Sequence, residues 1–310
     1  MTIRIAFTSI FYPLFMGRYM LEALRRRDDV EVWAAGPCTS NWIPWAGGMY
    51  LPEEYACIPD LDTGAGSPYH VNYAELEEQC PWEPDLWIEV NAGLFPTGHP
   101  RTRYAVIGTD PHVLGAHYAP IRSVVRSVGG KFFNMQTPYM EPDDIWLPYA
   151  YSPEWHTPTQ IPWANRVYDA SLIGLQYVNR IALFETMKSQ GLKTFNELGL
   201  VFNEARNIYH NTRVGVNWSS LQDTTARVFE LMAFGIVPLL NRVPDLSNIF
   251  VEGQHYLGFT SHTEAIEKMH WIIENPEEAN RIVSNALEAV APHTWDARMQ
   301  TVLENMGVIP

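Results

Sequence analysis

Residues 222–230 read Gln222-Asp223-Thr224-Thr225-Ala226-Arg227-Val228-Phe229-Glu230. Small polar residues ahead of an apolar-periodic run predict a helix N-terminus, with Asp223 or Thr224 as the cap and Gly235 supplying positive φ beyond Phe234. The first N–H groups of such a helix lack intrahelical acceptors, and the aligned peptide dipoles favour negative charge there. Arg227 and Glu230 lie three apart, and Asp223 and Arg227 four apart, so either pair can meet on one helix face. Glu230 is flanked by Phe229, Leu231 and Met232, so its carboxylate enters a semi-buried setting and must find donors. The ribose hydroxyls of a nucleotide would serve, and so would Arg227 alone. Two further helix starts could hold a diphosphate, one after Gly17 and one after Gly174-Leu175-Gln176-Tyr177. Arg180 stands near the second of these, and Arg213 precedes the strand leading to Thr224 and Thr225. Either guanidinium can donate charge-assisted bonds to phosphate, and either can instead be a solvated surface partner. Asn217, at that strand's end, is placed to touch the same ligand.

A second constellation is Asp110-Pro111-His112, directly after the apolar run Tyr104-Ala105-Val106-Ile107-Gly108. Polar residues just past the C-terminal ends of parallel strands face the ligand crevice of open sheets. His112 suits proton exchange or a neutral hydrogen bond near pH 7, or a purely structural bond, and His117 is a second candidate. No His, Cys or Asp spacing predicts a metal site. Asp60-Leu61-Asp62 and Glu141-Pro142-Asp143-Asp144 read as surface acid in loops. The GxGxxG, GxxxxGK[ST] and GxSxG patterns are absent, so the dinucleotide, P-loop and hydrolase-elbow readings have no support.

These residues need strands and helices to position them. Residues 3–9 predict a first buried strand, followed by a helix after Gly17 with Tyr19, Met20, Ala23 and Leu24 inward, and a second strand over 30–35. That succession, with further strands at 86–90 and 104–108, opens an α/β domain. Residues 36–81 read as irregular, with proline-linked aromatics such as Trp42-Ile43-Pro44-Trp45. Six prolines between Pro138 and Pro162 discourage helices and predict the passage between domains. A second α/β unit follows: strand 170–174, a helix from about Asn179 closed by Gly191, strand 214–218, helix to Phe234, strand 236–240, a turn near 245–250, strand 256–259 and a helix from Thr263. The next helix buries Ala279, Ile282, Val283, Ala286, Ala289 and Val290. Thr294 is a fair cap for the terminal stretch, which Trp295 could clamp.

The 310 residues suffice for two ordinary cores, and 46% hydrophobic against 18% charged residues describes a globular chain. A formal charge of −14 disfavours a polyanionic partner at long range, although a local basic pocket remains compatible with it. Apolar runs are too short to span a bilayer. The opening Thr2-Ile3-Arg4-Ile5 lacks a signal peptide's plan, and Cys38, Cys57 and Cys80 have no framework spacing, so reduced thiols in the cytoplasm are expected.

The series NTRVGVNWSS, DTTARVFELMAFG, PDLSNIFVEGQHYLGF and HTWDARM over residues 211–306 resembles the C-terminal part of the glycosyltransferases typified by the spore maturation protein CgeB. YDASLIGLQYVNR at 168–180 and TDPH at 109–112 resemble the same family more loosely. The resemblance implies a GT-B fold, α/β throughout, with two Rossmann-like α/β/α domains facing across a cleft. It implies an acceptor-side domain over 1–155, a nucleotide-sugar donor domain over 156–292, and a last helix, 293–310, crossing back to the first. It also implies sugar transfer from a nucleotide-sugar substrate, without metal or tightly bound cofactor, and with retention as in the related group 4 enzymes. Glu230 matches the second acid of that group's paired-glutamate motif, where it would bind the donor ribose. The first acid falls on Gln222, a departure, with the neighbouring Asp223 as the candidate substitute. His112, with Asp110, looks like the histidine that approaches the donor sugar, while Arg180, Arg213, Gly174, Asn217, Thr224 and Thr225 are the expected donor contacts. The acceptor stays open: a small molecule, glycan, protein or modified nucleobase. Alternatives are a phage-type enzyme acting on modified DNA bases, which the net charge disfavours, and a non-catalytic sugar-nucleotide-binding or coat protein.

Overall fold

A computed structural model describes residues 2–43, 48–66, 68–219 and 221–310, so Pro44, Trp45 and Ser220 of the segments above lie outside the described residues. The chain divides into two compact units, Met1–Pro148 with Trp295–Pro310, and Tyr149–Thr294.

The first unit begins with β1 (Ile3–Thr8), α1 (Met16–Arg25) and β2 (Val30–Gly36). Through the stretch expected to be irregular run β3 (Trp42–Ile43), β4 (Met49–Tyr50), β5 (Leu61–Asp62), β6 (His70–Asn72) and α2 (Tyr73–Gln79). Helix α2 escaped the sequence reading because it is only two turns long and buries just Tyr73 and Leu76, with Asn72 capping it through the Ala74 N–H. Then come β7 (Leu86–Asn91), β8 (Phe95–Thr97), β9 (Tyr104–Gly108), α3 (Pro111–Ser127), β10 (Lys131–Asn134) and β11 (Ile145–Trp146). Seven strands form one sheet in the order β11-β10-β9-β7-β1-β2-β5, and every pairing within it is parallel. Strands β7 and β9 are buried along their whole length, as parallel strands covered on both faces must be. Tyr19, Met20, Ala23 and Leu24 of α1 are all buried as predicted. The chain's last helix, α10 (Trp295–Asn305), belongs to this unit. It is fixed by Trp295, which is buried and stacks on Tyr19 with centroids 6.4 Å apart.

The second unit runs β12 (Tyr168–Ile173), α4 (Val178–Ser189), β13 (Thr194–Glu197), α5 (Phe202–His210), β14 (Thr212–Asn217), α6 (Ala226–Ala233), β15 (Val237–Asn241), α7 (Leu246–Ile249), β16 (Leu257–Phe259), α8 (His262–Glu274) and α9 (Pro276–Val290). Its five parallel strands are ordered β13-β12-β14-β15-β16. Leu172, Val214, Val216 and Leu239 of the sheet close a core with Phe184, Met187, Met269 and Ile282 of the helices. Of the six residues predicted inward on α9, Ala279, Ile282, Ala286 and Val290 are fully buried. No α-helix forms between Pro138 and Pro162, where proline removes donors and constrains the residue before it.

Each sheet has one place where strand order reverses. In the first unit it lies between β1 and β7, and in the second between β12 and β14. The crevice outside the carboxyl ends of the strands at such a reversal is where open α/β sheets bind ligands. Among the described residues no helix is long and apolar enough to cross a membrane, and Cys38, Cys57 and Cys80 are free thiols.

Candidate functional site

The reversal in the second unit is spanned by one side chain. Arg227, on the first turn of α6, donates from Nη2 to the Ile173 carbonyl at 2.6 Å and from Nη1 to Asn217 Oδ1 at 3.2 Å. It thereby ties the last residue of β12 to the last residue of β14. Gly174 makes the approach possible: its φ is +145°, and a Cβ there would stand 2.5 Å from Arg227 Nη2. The pairings open to Arg227 in sequence, with Glu230 or Asp223, are accordingly not made, because its fork is committed to the strand ends.

Arg180, in the first turn of α4, reaches the same place. Its Nε donates to the Trp218 carbonyl at 2.8 Å and its Nη1 to the Leu175 carbonyl at 2.9 Å, and its guanidinium lies 4.8 Å from the Tyr177 ring centroid. Burial, and then the neighbouring positive charge of Arg227, lower its pKa to about 10. Each guanidinium has five N–H donors, so two such bonds leave capacity for a further acceptor. Two cations held close together and partly desolvated are a costly arrangement that an anion relieves.

The loop entering α6 is rigidly built. Ser219 and Asp223 bond reciprocally, the serine hydroxyl donating to the Asp223 carboxylate while its oxygen accepts the Asp223 N–H. The Asn241 side chain accepts from the Ser219 N–H at 2.7 Å and donates to the Ser219 carbonyl at 3.1 Å. Gln222 is exposed and adopts a φ of +59°, a left-handed conformation that few residue types favour. The helix starts later than predicted. Thr225, rather than Asp223 or Thr224, occupies the N-cap position and makes no side-chain capping bond. Asp223 has turned its carboxylate to Ser219 instead, and Thr224 is buried. The Thr225 hydroxyl is buried without a hydrogen-bond partner among the described residues, which leaves it available to a ligand oxygen. At the other end Gly235 has φ +67°, as the sequence required.

Glu230 sits one turn into α6, partly exposed, with Oε1 3.7 Å from Nε2 of His156. The buried Tyr209 phenol lies within the influence of both Arg227 and Glu230, so the cation and the carboxylate share a neighbourhood without pairing. His156 was not singled out from sequence. Its segment is proline-rich and aperiodic, and only the fold brings it to a residue 74 positions away.

Arg213 is not brought to this place. It lies near the start of β14, where it pairs with Asp169 and donates from Nε to the Trp163 carbonyl at 3.1 Å. That is the end of the strand opposite Asn217, a placement not legible in sequence because strand polarity relative to a ligand is a tertiary property. The helix start after Gly17 likewise holds Arg18, which is spent on the carbonyls of Pro13 and Tyr55.

In the first unit, Asp110 occupies the N-cap position of α3 with Pro111 opening the helix. Its carboxylate accepts from the Thr109 hydroxyl at 2.8 Å. His112 is half-buried beside Tyr139, with ring centroids 6.2 Å apart. Both residues therefore stand past the carboxyl end of β9. His117 has a structural setting: Nε2 lies 3.2 Å from Asn91 Oδ1 and 3.0 Å from the Leu94 carbonyl. A buried acid missed in sequence, Glu89 on β7, accepts from Tyr104 at 2.6 Å, from Asn91 at 2.7 Å and from Tyr73. Burial raises its pKa. Among the described residues no three His, Cys, Asp or Glu side chains are grouped as a metal site.

Residues 173–304 match the family model described as glycosyl transferase-like, from the last residue of β12 into α10. Comparison with curated proteins returns no match. Among solved structures, a glycosyltransferase from Rickettsia africae ESF-5 superposes with a TM-score of 0.62 at 9% identity, covering 98% of each chain. An alpha-glucosyltransferase in complex with UDP-glucose and DNA containing an abasic site gives a TM-score of 0.60 at 10% identity, covering 99% of this chain and 100% of the other. A UDP-N-acetylglucosamine 2-epimerase gives 0.56 at 10% identity, covering 100% and 98%. The fold is that of the GT-B class, with two Rossmann-like units.

Proposed function

We propose that the chain is a glycosyltransferase whose second unit holds a nucleotide-sugar donor, the diphosphate at Arg180, Arg227 and the start of α6, and the ribose at Glu230. The observation that carries this reading is the convergence of two guanidiniums on the strand reversal between β12 and β14, beside the helix N-terminus of Thr225 and one turn from Glu230. We assign Gly174, Asn217 and Thr224 to the same donor site, and Arg227 takes the role expected of Arg213. Glycosyl transfer builds negative charge on the departing diphosphate, and preorganised cations and backbone dipoles stabilise that charge most effectively. We keep Gln222 and Asp223 of the second unit, and Asp110 and His112 of the first, as the proposed catalytic residues. We also propose retention: the anomeric C–O bond to phosphate breaks, the acceptor oxygen bonds the same face, and its proton passes to the departing phosphate oxygen. With arginines supplying the positive charge, the reaction needs no metal. The resemblance to CgeB-type enzymes belongs to this reading, and the free thiols fit a cytoplasmic setting. A DNA acceptor would have to approach a chain of formal charge −14, so a small-molecule, glycan or protein acceptor is the better match.

Calorimetric titration with UDP, GDP, ADP and TDP tests the donor half directly. One of them should bind, and Glu230→Gln should weaken it about 10- to 100-fold, the worth of a charge-assisted hydrogen bond. If none binds to the folded protein, the reading is wrong. Once a donor is found, donor turnover should survive EDTA, and the product should keep the donor's anomeric configuration by NMR. His112→Ala should cut turnover while leaving nucleotide affinity intact. A protein that binds donor yet neither transfers nor hydrolyses it would be a sugar-nucleotide binder.

A further inference from the structure

His156 is almost fully buried, with its ring edge-on to Phe234 at a centroid distance of 5.2 Å. Its Nδ1 stands 3.1 Å from both the N–H and the carbonyl of Ser152, and its Nε2 stands 3.7 Å from Glu230 Oε1. The ring is therefore anchored to backbone on one side and aimed at the carboxylate on the other. A neutral imidazole carries one donor and one acceptor. With Nδ1 accepting the Ser152 N–H, the proton resides on Nε2 and points towards Glu230. The charges nearest the ring are Glu230 and Arg206. Glu230 makes no other side-chain ion pair or hydrogen bond among the described residues. An apolar side chain would fill the space against Phe234 without the cost of desolvating two nitrogens, so the position makes use of those nitrogens.

We propose that His156 is a positioning residue of the donor site: its Nε2–H faces one oxygen of Glu230 and biases the other towards the ribose hydroxyls of the nucleotide. This rests on the ribose role proposed for Glu230. A free glutamate samples several rotamers and must give them up when ligand binds. One faced by a buried, anchored ring has fewer of them to give up, which raises affinity without a new ligand contact. The competing account is that His156 only fastens the Ser152 turn.

Two substitutions separate these accounts. The amide nitrogen of His156→Gln reaches roughly where Nε2 stands and keeps the contact with Glu230. His156→Asn places its amide near Nδ1 and keeps the contact with Ser152. Each variant and the wild type would be titrated with UDP, GDP and ADP and with their 2′-deoxy forms, after a melting curve confirms folding. Wild type should prefer the ribose form of its nucleotide about 10-fold. His156→Gln should keep that preference, and His156→Asn should lose it by weakening only the ribose form. If His156→Asn retains the preference while His156→Gln loses it, the turn-fastening role is correct and the proposal falls. A wild type that binds no nucleotide removes the donor reading and this inference together, whereas a binding wild type with an unaltered His156→Asn variant removes the inference alone. Independently of either variant's folding, Glu230→Gln should move the ¹⁵N resonance of His156 Nε2 and leave Nδ1 in place; an unmoved Nε2 overturns the proposal.

Discussion

Replacing Arg227 with leucine should weaken binding of the donor nucleotide by about 30- to 1,000-fold, the range expected when one partner of a desolvated charge contact is truncated. Three consequences of the geometry set that size. The guanidinium would lose its contact with phosphate, β12 and β14 would lose the bonds at Ile173 and Asn217, and Arg180 would face the diphosphate alone. Arg227→Lys should fall between wild type and leucine, because an ammonium keeps the charge but cannot bridge two strand ends as a planar fork does. Calorimetry at two salt concentrations measures both variants. Affinity for nucleoside diphosphate that is unchanged in Arg227→Leu would remove the diphosphate from this place altogether. Folding should lose about 1–3 kcal/mol as well, because the buried Ile173 carbonyl and Asn217 Oδ1 are left without this donor.

Gly174→Ala should cost nearly as much binding although the added methyl touches no ligand. Its Cβ would stand 2.5 Å from Arg227 Nη2, and the residue holds a φ of +145° that side-chain-bearing residues rarely adopt. The end of an arginine is flexible, so the clash itself is relieved by moving Arg227 off the strand ends. The backbone strain adds about 1–3 kcal/mol of instability, visible as a lower melting temperature. Because the loss of affinity acts through Arg227, the double variant Gly174→Ala/Arg227→Leu should bind no worse than Arg227→Leu alone, the signature of coupled neighbours. Fully additive losses would mean that Gly174 serves the ligand by another route.

Much of this architecture is legible before folding. Strands β1, β2, β7, β9, β12, β14 and β15 are short apolar runs bounded by breakers, and α6 and α9 carry their own period and stops. Local backbone preference and hydrophobic patterning act within a few residues, so sequence exposes them. The cap of α6 was misplaced by one or two residues because Asp223, Thr224 and Thr225 are all competent caps. The choice fell to Ser219, which engages Asp223 after the loop has closed. Helix α2 was missed because two buried anchors make no period.

The electrostatic layout is a different matter. Arg180, Arg213 and Arg227 look alike in the sequence, each near a helix or strand terminus. Parallel pairing of β12 with β14 sends Arg213 to the amino end of the sheet, into an ion pair with Asp169, and brings Arg227 over the carboxyl ends, where Gly174 leaves it room. Likewise His156 meets Glu230 only because the proline-rich segment packs on Phe234. The amino-acid order alone determined the α/β class, the breakers at Gly174, Gly191 and Gly235, and the glutamate on α6, since these follow from short-range sterics and burial. Which cations converge, and which histidine aims the carboxylate, was decided by the tertiary structure, because proximity between residues far apart in the chain depends on strand order and direction.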